Sequence, residues 1–351
     1  MTVNLDAVAE NYRALKAKSG KPTAAVIKAD AYGLGMVAIA RRLEREGCHD
    51  FFVVTIDEGV RLRANTDRTI FLLGGIHSGD RSLIEKHDLI PVLNSLEDIT
   101  AWKGRCAIHF DTGMNRTGLS EDEAEALIAD PSRLSHLKVE LALSHFACAD
   151  EPGHPLTQTQ CEKFARIHSR LAAHLPGTRW SLANSSGIFE RAGATYDLVR
   201  PGYALYGGNP TPHLPNPMRP VIRLEATIVQ IRQVAHGESV GYGASHVFDT
   251  DTQIATLCLG YADGYMRGFS GPNHGRVYWK NLSCPILGRV SMDLISVGIG
   301  HLPDKPKAGD RMEIIGAHQD IDEVARQAGT IGYEILTSLG NRYARIYKGA
   351  S

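Results

Sequence analysis

Chemistry enters this sequence at Lys28, in the run Ala24-Ala25-Val26-Ile27-Lys28-Ala29-Asp30-Ala31-Tyr32-Gly33-Leu34-Gly35. Small and β-branched residues there read as a buried strand that ends at the lysine and passes into a loop. A charged side chain at the mouth of a buried strand needs a partner or a job. Burial makes a lysine shed its proton readily, and the free amine condenses with a carbonyl to give a Schiff base. Read alone, Lys28 is more simply a snorkelling surface lysine. It has company, however. His145 stands in Leu143-Ser144-His145-Phe146, Asn184 and Ser185 in Leu182-Ala183-Asn184-Ser185-Ser186-Gly187, and Arg200 and Gly202 in Leu198-Val199-Arg200-Pro201-Gly202-Tyr203. Arg116 follows Asp111-Thr112-Gly113-Met114-Asn115. Taken singly, His145 reads as a structural histidine, Asn184-Ser185-Ser186 as a helix-capping turn and Arg200 as an ion-pair partner. Gly113 alone reads as a turn residue.

The elements that carry these residues change the reading. An amphipathic opening from Leu5 to Lys18 precedes strand candidates at Ala24–Ala29, Phe51–Ile56, Thr69–Leu73, Leu89–Leu93, Arg105–Phe110, Lys138–Ser144, Arg179–Leu182 and Leu198–Leu205. Helix-like stretches such as Met36–Glu46, Glu121–Ala129 and Gln158–His174 separate most of them. Alternation of this kind predicts an α/β fold with an N-terminal (β/α)8 TIM-type barrel. A doubly wound open sheet lacks its GxGxxG fingerprint here. Prolines 210, 212, 215, 217 and 220 then crowd together, which predicts a boundary between domains 1–219 and 220–351. Beyond it, Val221–Val234, Gln253–Leu259, Arg276–Trp279, Pro285–Val297 and Arg311–Ile315 read as strands, with Asp320–Ala328 as one helix near the end. The C-terminal domain is therefore expected to be mostly β.

On the barrel, Lys28 ends the first strand, Arg116 follows the fifth, His145 ends the sixth, Asn184 and Ser185 follow the seventh, and Arg200 and Gly202 lie in the eighth. Active sites of such barrels collect at the C-terminal strand ends, with phosphate often bound near strands seven and eight. A lysine, a Ser/Gly cradle and arginines on one rim fit a pyridoxal 5'-phosphate (PLP) site.

Composition sets outer limits. The chain has 351 residues, 43% of them hydrophobic, and a net charge of −1. It can build a sizeable core, and without Lys/Arg blocks it is not expected to have nucleic acid or an anionic membrane as its main partner. No apolar stretch is long enough to span a bilayer. The polar, acidic start is unlike a secretory signal. Six scattered cysteines without a CxxC pair suit reduced thiols, so a cytoplasmic protein is expected. No metal is expected, because the 15 histidines show no HExxH run or zinc spacing.

With these residues in view, the chain resembles the alanine racemase family from about Val3 to about Tyr347. The motifs that carry the resemblance are Val26-Ile27-Lys28-Ala29-Asp30-Ala31-Tyr32-Gly33, Asp111-Thr112-Gly113-Met114-Asn115-Arg116, and Arg200-Pro201-Gly202 with Ala204-Leu205-Tyr206-Gly207. Further along come Gly241-Tyr242-Gly243, Gly260-Tyr261-Ala262-Asp263-Gly264, Gly288-Arg289-Val290-Ser291-Met292-Asp293 and Ile331-Gly332-Tyr333-Glu334. Seven motifs in family order are not chance.

The resemblance implies a PLP-dependent isomerase that interconverts L- and D-alanine, for wall synthesis or alanine catabolism, as a homodimer with active sites shared across the interface. By the same likeness Lys28 holds PLP through a Schiff base, and Tyr32, Ser185, Gly202, Tyr203 and Tyr333 surround the phosphate with Asn184 close by. Arg200 faces the pyridine nitrogen. Arg116 approaches the cofactor phenolate and the substrate carboxylate, which the Met292 backbone helps to bind. Tyr242 reaches in from the second subunit, and Asp150, Tyr261, Arg267, Arg289 and Ile331 match the entry channel. Racemisation needs acid/base groups on both faces of the α-carbon. Lys28 would serve the D-enantiomer and Tyr242 the L-enantiomer. A free tyrosine has a pKa of about 10, so it needs help near neutrality, and His145 beside Arg200 would supply it through a hydrogen-bonded chain. Arg200 donates a hydrogen bond without giving up a proton, which restrains side reactions such as transamination.

Two positions depart from the family pattern. His109 stands where many members carry a carbamylated lysine that orients the arginine matching Arg116, so Arg116 must be held otherwise here, by His109 itself or by a bound anion. Tyr203 replaces a common aliphatic residue, but through its backbone it would still make the phosphate contact. Three rivals remain open on sequence: a racemase of broader specificity acting on serine or larger amino acids, a basic amino-acid decarboxylase, and a non-enzymatic PLP carrier. Decarboxylases of that kind place a carboxylate by the pyridine nitrogen, and single-barrel carriers lack the β domain.

Overall fold

The computed structural model describes residues 1–77, 79–271 and 275–349. Its chain divides into two compact units, one of Asp6–Ala31 with Gly35–Arg219, the other of Met1–Leu5, Tyr32–Leu34 and the chain from Pro220.

Strand β1 (Thr2–Asn4) belongs to the second unit and leads into the helix Leu5–Ser19. The first unit then alternates strand and helix. Strands β2 (Ala25–Val26), β3 (Asp50–Val53), β4 (Thr69–Leu72), β5 (Ile90–Leu93), β6 (Gly104–His109), β7 (Leu137–Leu143) and β8 (Arg179–Ser181) pair in parallel in sequence order. Parallel strands covered on both faces read as mainly apolar runs; every residue of β3 and β5 is buried, and the one charge among them, Asp50, is paired with Arg179 at 2.7 Å. Phe52 and Phe71 stack with ring centroids 4.7 Å apart in the core. An eighth segment closes the ring without forming a full strand. Val199 bridges Thr23, Ala24 donates to Val199 O and Val26 to Pro201 O, while Leu198 and Arg200 donate to Trp180 O and Ala183 O on the β8 side.

That segment is shorter than the expected strand Leu198–Leu205. Pro201 has no N–H for a ladder, and Tyr203–Tyr206 coil into a 3-10 turn ended by Gly207 at φ 90°. The first strand is also shorter than expected, because Ala29–Tyr32 form a left-handed turn with φ between 52° and 55°. Each non-glycine residue in that conformation costs roughly 1–2 kcal/mol, so the turn after Lys28 is held by its surroundings rather than by preference.

The second unit is built on β9 (Ile222–Val234), β10 (Ser239–Val240), β11 (His246–Val247), β12 (Thr252–Cys258), β13 (Arg276–Trp279), β14 (Leu282–Leu287), β15 (Leu294–Gly298), β16 (Arg311–Ile315) and β17 (Ile346–Lys348). The long β9 pairs antiparallel with β16 along Leu224–Thr227 and with β12 along Ile228–Val234. With β12, β15, β14, β13 and β16 in sequence of pairing, this closes an antiparallel barrel, and β1 and β17 extend it from the start of β9. The stretch expected as one strand over Pro285–Val297 is two, divided at Gly288, whose φ is 69°. Near the end there are two helices, Ile321–Ala328 and Gly332–Ser338.

Candidate active site

The C-terminal strand ends of the parallel barrel carry a cluster of cations. Arg200 is 5% exposed, and its guanidinium donates from Nη2 to Ser144 O at 2.5 Å and from Nη1 to Ser181 Oγ. Both acceptors are neutral. Among the described residues no carboxylate pairs with it. Burial alone lowers its pKa to about 9, so it stays cationic at neutral pH. Lys28, half-buried at the end of its strand, makes no hydrogen bond or ion pair among the described residues. Burial and then the charge of Arg116 push its pKa down, and the carboxylate of Glu58 opposes them.

The two histidines are held neutral. His145 lies well below the ordinary imidazole range because of burial, then the charges of Arg200, Arg116, Lys28 and His109. His109 is lowered to about 4 by burial and Arg200, with Asp111 opposing. Asn94 donates from Nδ2 to Val92 O at 3.0 Å, so its Oδ1 faces His109 Nδ1, also at 3.0 Å, as an acceptor. The proton of neutral His109 therefore sits on Nδ1, which leaves Nε2 as an acceptor.

A sign follows for stability. An imidazole whose pKa falls on folding binds fewer protons in the native state, so its contribution is complete above the unfolded value and is lost as pH drops. For His109 the window runs from about 6.5 down to about 4. We expect the melting temperature to fall across that window, by an amount equivalent to about 3 kcal/mol. The variant His109→Asn should flatten that part of the profile. An unchanged slope in the variant would remove His109 as its source.

Ser185 and the 202–204 turn form one unit. Ser185 Oγ accepts the N–H groups of Gly202 at 3.2 Å and Ala204 at 3.3 Å, and Tyr203 is buried between them. Asn184 is the N-cap of the helix Ser185–Glu190, its Oδ1 accepting from Gly187 N–H at 2.9 Å. The helix-capping reading of this stretch and its placement on the rim hold together. Asp150 lies exposed in the turn region before the helix Pro155–Leu171, and Arg116 is exposed beyond β6.

Within the second unit, Tyr32 and Tyr333 approach with ring centroids 6.0 Å apart. Arg345 donates twice to Gly33 O, at 3.0 Å and 2.8 Å, and Tyr347 OH donates to Leu34 O at 3.0 Å, which anchors the short segment Tyr32–Leu34 within this unit. The Gly260–Gly264 turn is laced to the next loop by Tyr261 N–H to Ser291 O and Ala262 N–H to Met292 O, both 3.0 Å. Gly243, beside Tyr242, leaves 3.0 Å between a would-be Cβ and the Arg289 guanidinium. Tyr242 is 71% exposed and Met292 53%, and Tyr261, Arg267, Arg289 and Ile331 are exposed as well.

Several residues that shape the site escaped the reading of the sequence. Ser144 and Ser181 hold Arg200, and the only hint was their place at strand ends beside marked residues. Gln160 is fully buried, donating to His145 O at 2.8 Å and accepting from Ala147 N–H at 2.9 Å. Its signal was a polar residue at helical spacing with buried Thr157 and Phe164.

Comparison with known proteins places these features. Residues 3–210 match the family described as alanine racemase, N-terminal domain, and residues 221–347 match alanine racemase, C-terminal domain. The chain belongs to the alanine racemase family. Two alanine racemases of Agrobacterium fabrum, one biosynthetic and one catabolic, are 42% and 41% identical to it over 99% of the chain and 93% and 91% of their own lengths. The crystal structure of alanine racemase from Bartonella henselae, with covalently bound pyridoxal phosphate, superimposes with a TM-score of 0.93 at 38% identity. That match covers 99% of this chain and 98% of the other. Like the alanine racemases it resembles, the chain joins a parallel barrel to an antiparallel one.

The residues present fit the cofactor of that relative. A buried guanidinium without a counter-charge suits a neutral ring nitrogen, an unpartnered amine suits an aldehyde, and the Ser185 hydroxyl, whose oxygen accepts two N–H groups and whose proton is left to donate, suits a phosphate.

Proposed function

We propose that this protein racemises alanine with PLP, using Lys28 and Tyr242 as its two acid/base groups. The observation that carries this reading is Arg200: a buried cation on the barrel rim, bonded only to neutral oxygens among the described residues. The bound cofactor supplies an electron sink that makes the α-hydrogen of an amino acid acidic. Arg200 donates to the ring nitrogen without transferring a proton, so the sink stays weak enough to favour simple proton exchange. This argues against the decarboxylase alternative, in which a carboxylate takes that place.

Lys28 holds the cofactor and, once released, moves a proton at its Nζ on the face that serves D-alanine. Tyr242 of the partner subunit does so at its phenol oxygen on the other face. Its 71% exposure in a single chain supports its service to a neighbouring copy. His145, neutral and beside Arg200, assists Tyr242 through hydrogen bonds. Ser185, Gly202 and Tyr203, with Tyr32, Tyr333 and Asn184, bind the phosphate. Arg116 and the Met292 backbone orient the substrate carboxylate, and Asp150, Tyr261, Arg267, Arg289 and Ile331 line its approach. Neutral His109 orients Arg116 without any carbamate. The working division is 1–219 for cofactor binding and 220–351 for the β domain. Free cysteines at 48, 106, 148, 161, 258 and 284 support a cytoplasmic setting. The reaction either supplies D-alanine or returns it to catabolism, the direction being set by the two concentrations.

The test is incubation with PLP and L-alanine in D2O, followed by chiral separation and mass analysis. Deuterated D-alanine, formed faster than the products of serine or lysine, is the expected result. Faster turnover of serine or another amino acid would replace the reading with a broader racemase. No exchange and no inversion would leave a PLP carrier. Light scattering should give twice the 38.2 kDa of one chain, and an active monomer would remove Tyr242 from its cross-subunit role.

A further inference from the structure

The parallel ladder that carries Lys28 runs one step past β2, where Ile27 donates to Phe52 O at 2.9 Å. It stops there because the chain turns left-handed at Ala29. The Ala29 N–H, the first after the lysine, goes instead to Glu58 Oε1 at 2.6 Å. Glu58 Oε2 accepts Val54 N–H at 2.8 Å and Thr55 N–H at 3.2 Å. One carboxylate thus joins the peptide after Lys28 to the end of β3. Arg61, one turn further along the same helix, pairs with Asp30 inside the left-handed turn, and Asp30 Oδ1 also accepts Met36 N–H at 3.0 Å.

We propose that Glu58 is a positioning residue for Lys28, fixing the strained peptide that follows the lysine and so setting where its amine stands on the rim. The proposal rests on Lys28 being the Schiff-base lysine. Glu58 also opposes the burial and the Arg116 charge that draw protons off the amine. A helix-capping residue would need only the bond to Thr55. The chain contains a matched comparison in Glu123, which caps its helix through Ser120 N–H at 2.8 Å and reaches Leu96 N–H at 3.0 Å, with no site lysine attached.

The experiment uses full-length Glu58→Gln, Glu58→Ala and Glu123→Gln. Three quantities are read: melting temperature, the PLP dissociation constant, and acetylation of Lys28 against pH before PLP is added, followed by peptide mass. Glu58→Gln keeps an acceptor for Ala29 N–H but loses the charge. Its melting temperature should match that of Glu123→Gln, while half-maximal acetylation of Lys28 moves to lower pH by about half a unit or more. Glu58→Ala should weaken PLP binding roughly tenfold. Glu123→Gln should leave both Lys28 readouts at wild-type values. Glu58 variants indistinguishable from Glu123→Gln in PLP affinity and Lys28 titration would overturn the proposal. A wild-type protein with no borohydride-reducible pyridoxyl group on Lys28 would overturn the reading of Lys28 beneath it, and the Lys28 titration would still judge the clamp.

Discussion

With alanine in place of Lys28, formation of D-alanine from L-alanine is expected to fall by roughly a thousandfold or more. The substitution removes the amine that anchors PLP and one of the two proton-transfer groups, and a positioned acid/base group alone is worth about 100- to 10,000-fold. The amine fits both tasks: it stands at the end of its strand, unpartnered among the described residues, with burial and Arg116 shifting it toward the neutral form. Chiral chromatography of the product gives the rate, and borohydride reduction with peptide mapping shows which lysine holds the cofactor. A reducible pyridoxyl group surviving in Lys28→Ala would assign the cofactor to another lysine.

The second large effect is one-sided. Tyr242→Phe keeps the ring and removes the phenol oxygen that takes the proton, so abstraction from L-alanine should drop by about 100- to 10,000-fold. Net turnover cannot reveal this asymmetry, because mirror-image alanines have equal free energies and both directions of kcat/KM must fall together. Solvent deuterium can. In the variant, exchange into D-alanine should continue near the wild-type rate through Lys28, while exchange into L-alanine is lost. Equal loss on both faces would undo the two-base assignment.

Much of this was legible in residue order, because parallel strands buried on both faces write themselves as apolar runs. β3 and β5 are of this kind, although the expected strand Phe51–Ile56 ran past Val53 into Thr55, which caps the helix that begins at Ile56. The rim residues were legible for the same reason: Lys28, His145 and Arg200 interrupt or end such runs. The left-handed turn at Ala29–Tyr32 was not, since nothing in Ala-Asp-Ala-Tyr asks for positive φ. The helix Gly332–Ser338 was missed because it begins without a capping side chain. Glu58, Ser144 and Ser181 act through partners 19 to 56 residues away, as Glu58 with Ala29, Ser181 with Arg200 and Ser144 with Arg200 show. Such pairings have no local signature.

The closure of the parallel barrel has a consequence for how the enzyme fails. Its wall has a seam, the short stave from Asp197 to Pro201, which is joined to the staves beside it by backbone bonds at Trp180, Ala183, Pro22, Ala24 and Val26. Pro201 contributes no donor to that joint. Yet this stave also carries Arg200, so the plank that closes the cask is the one that holds the buried cation. A breath that parts the seam moves the guanidinium with it, and leakage of water and loss of reaction control become a single event.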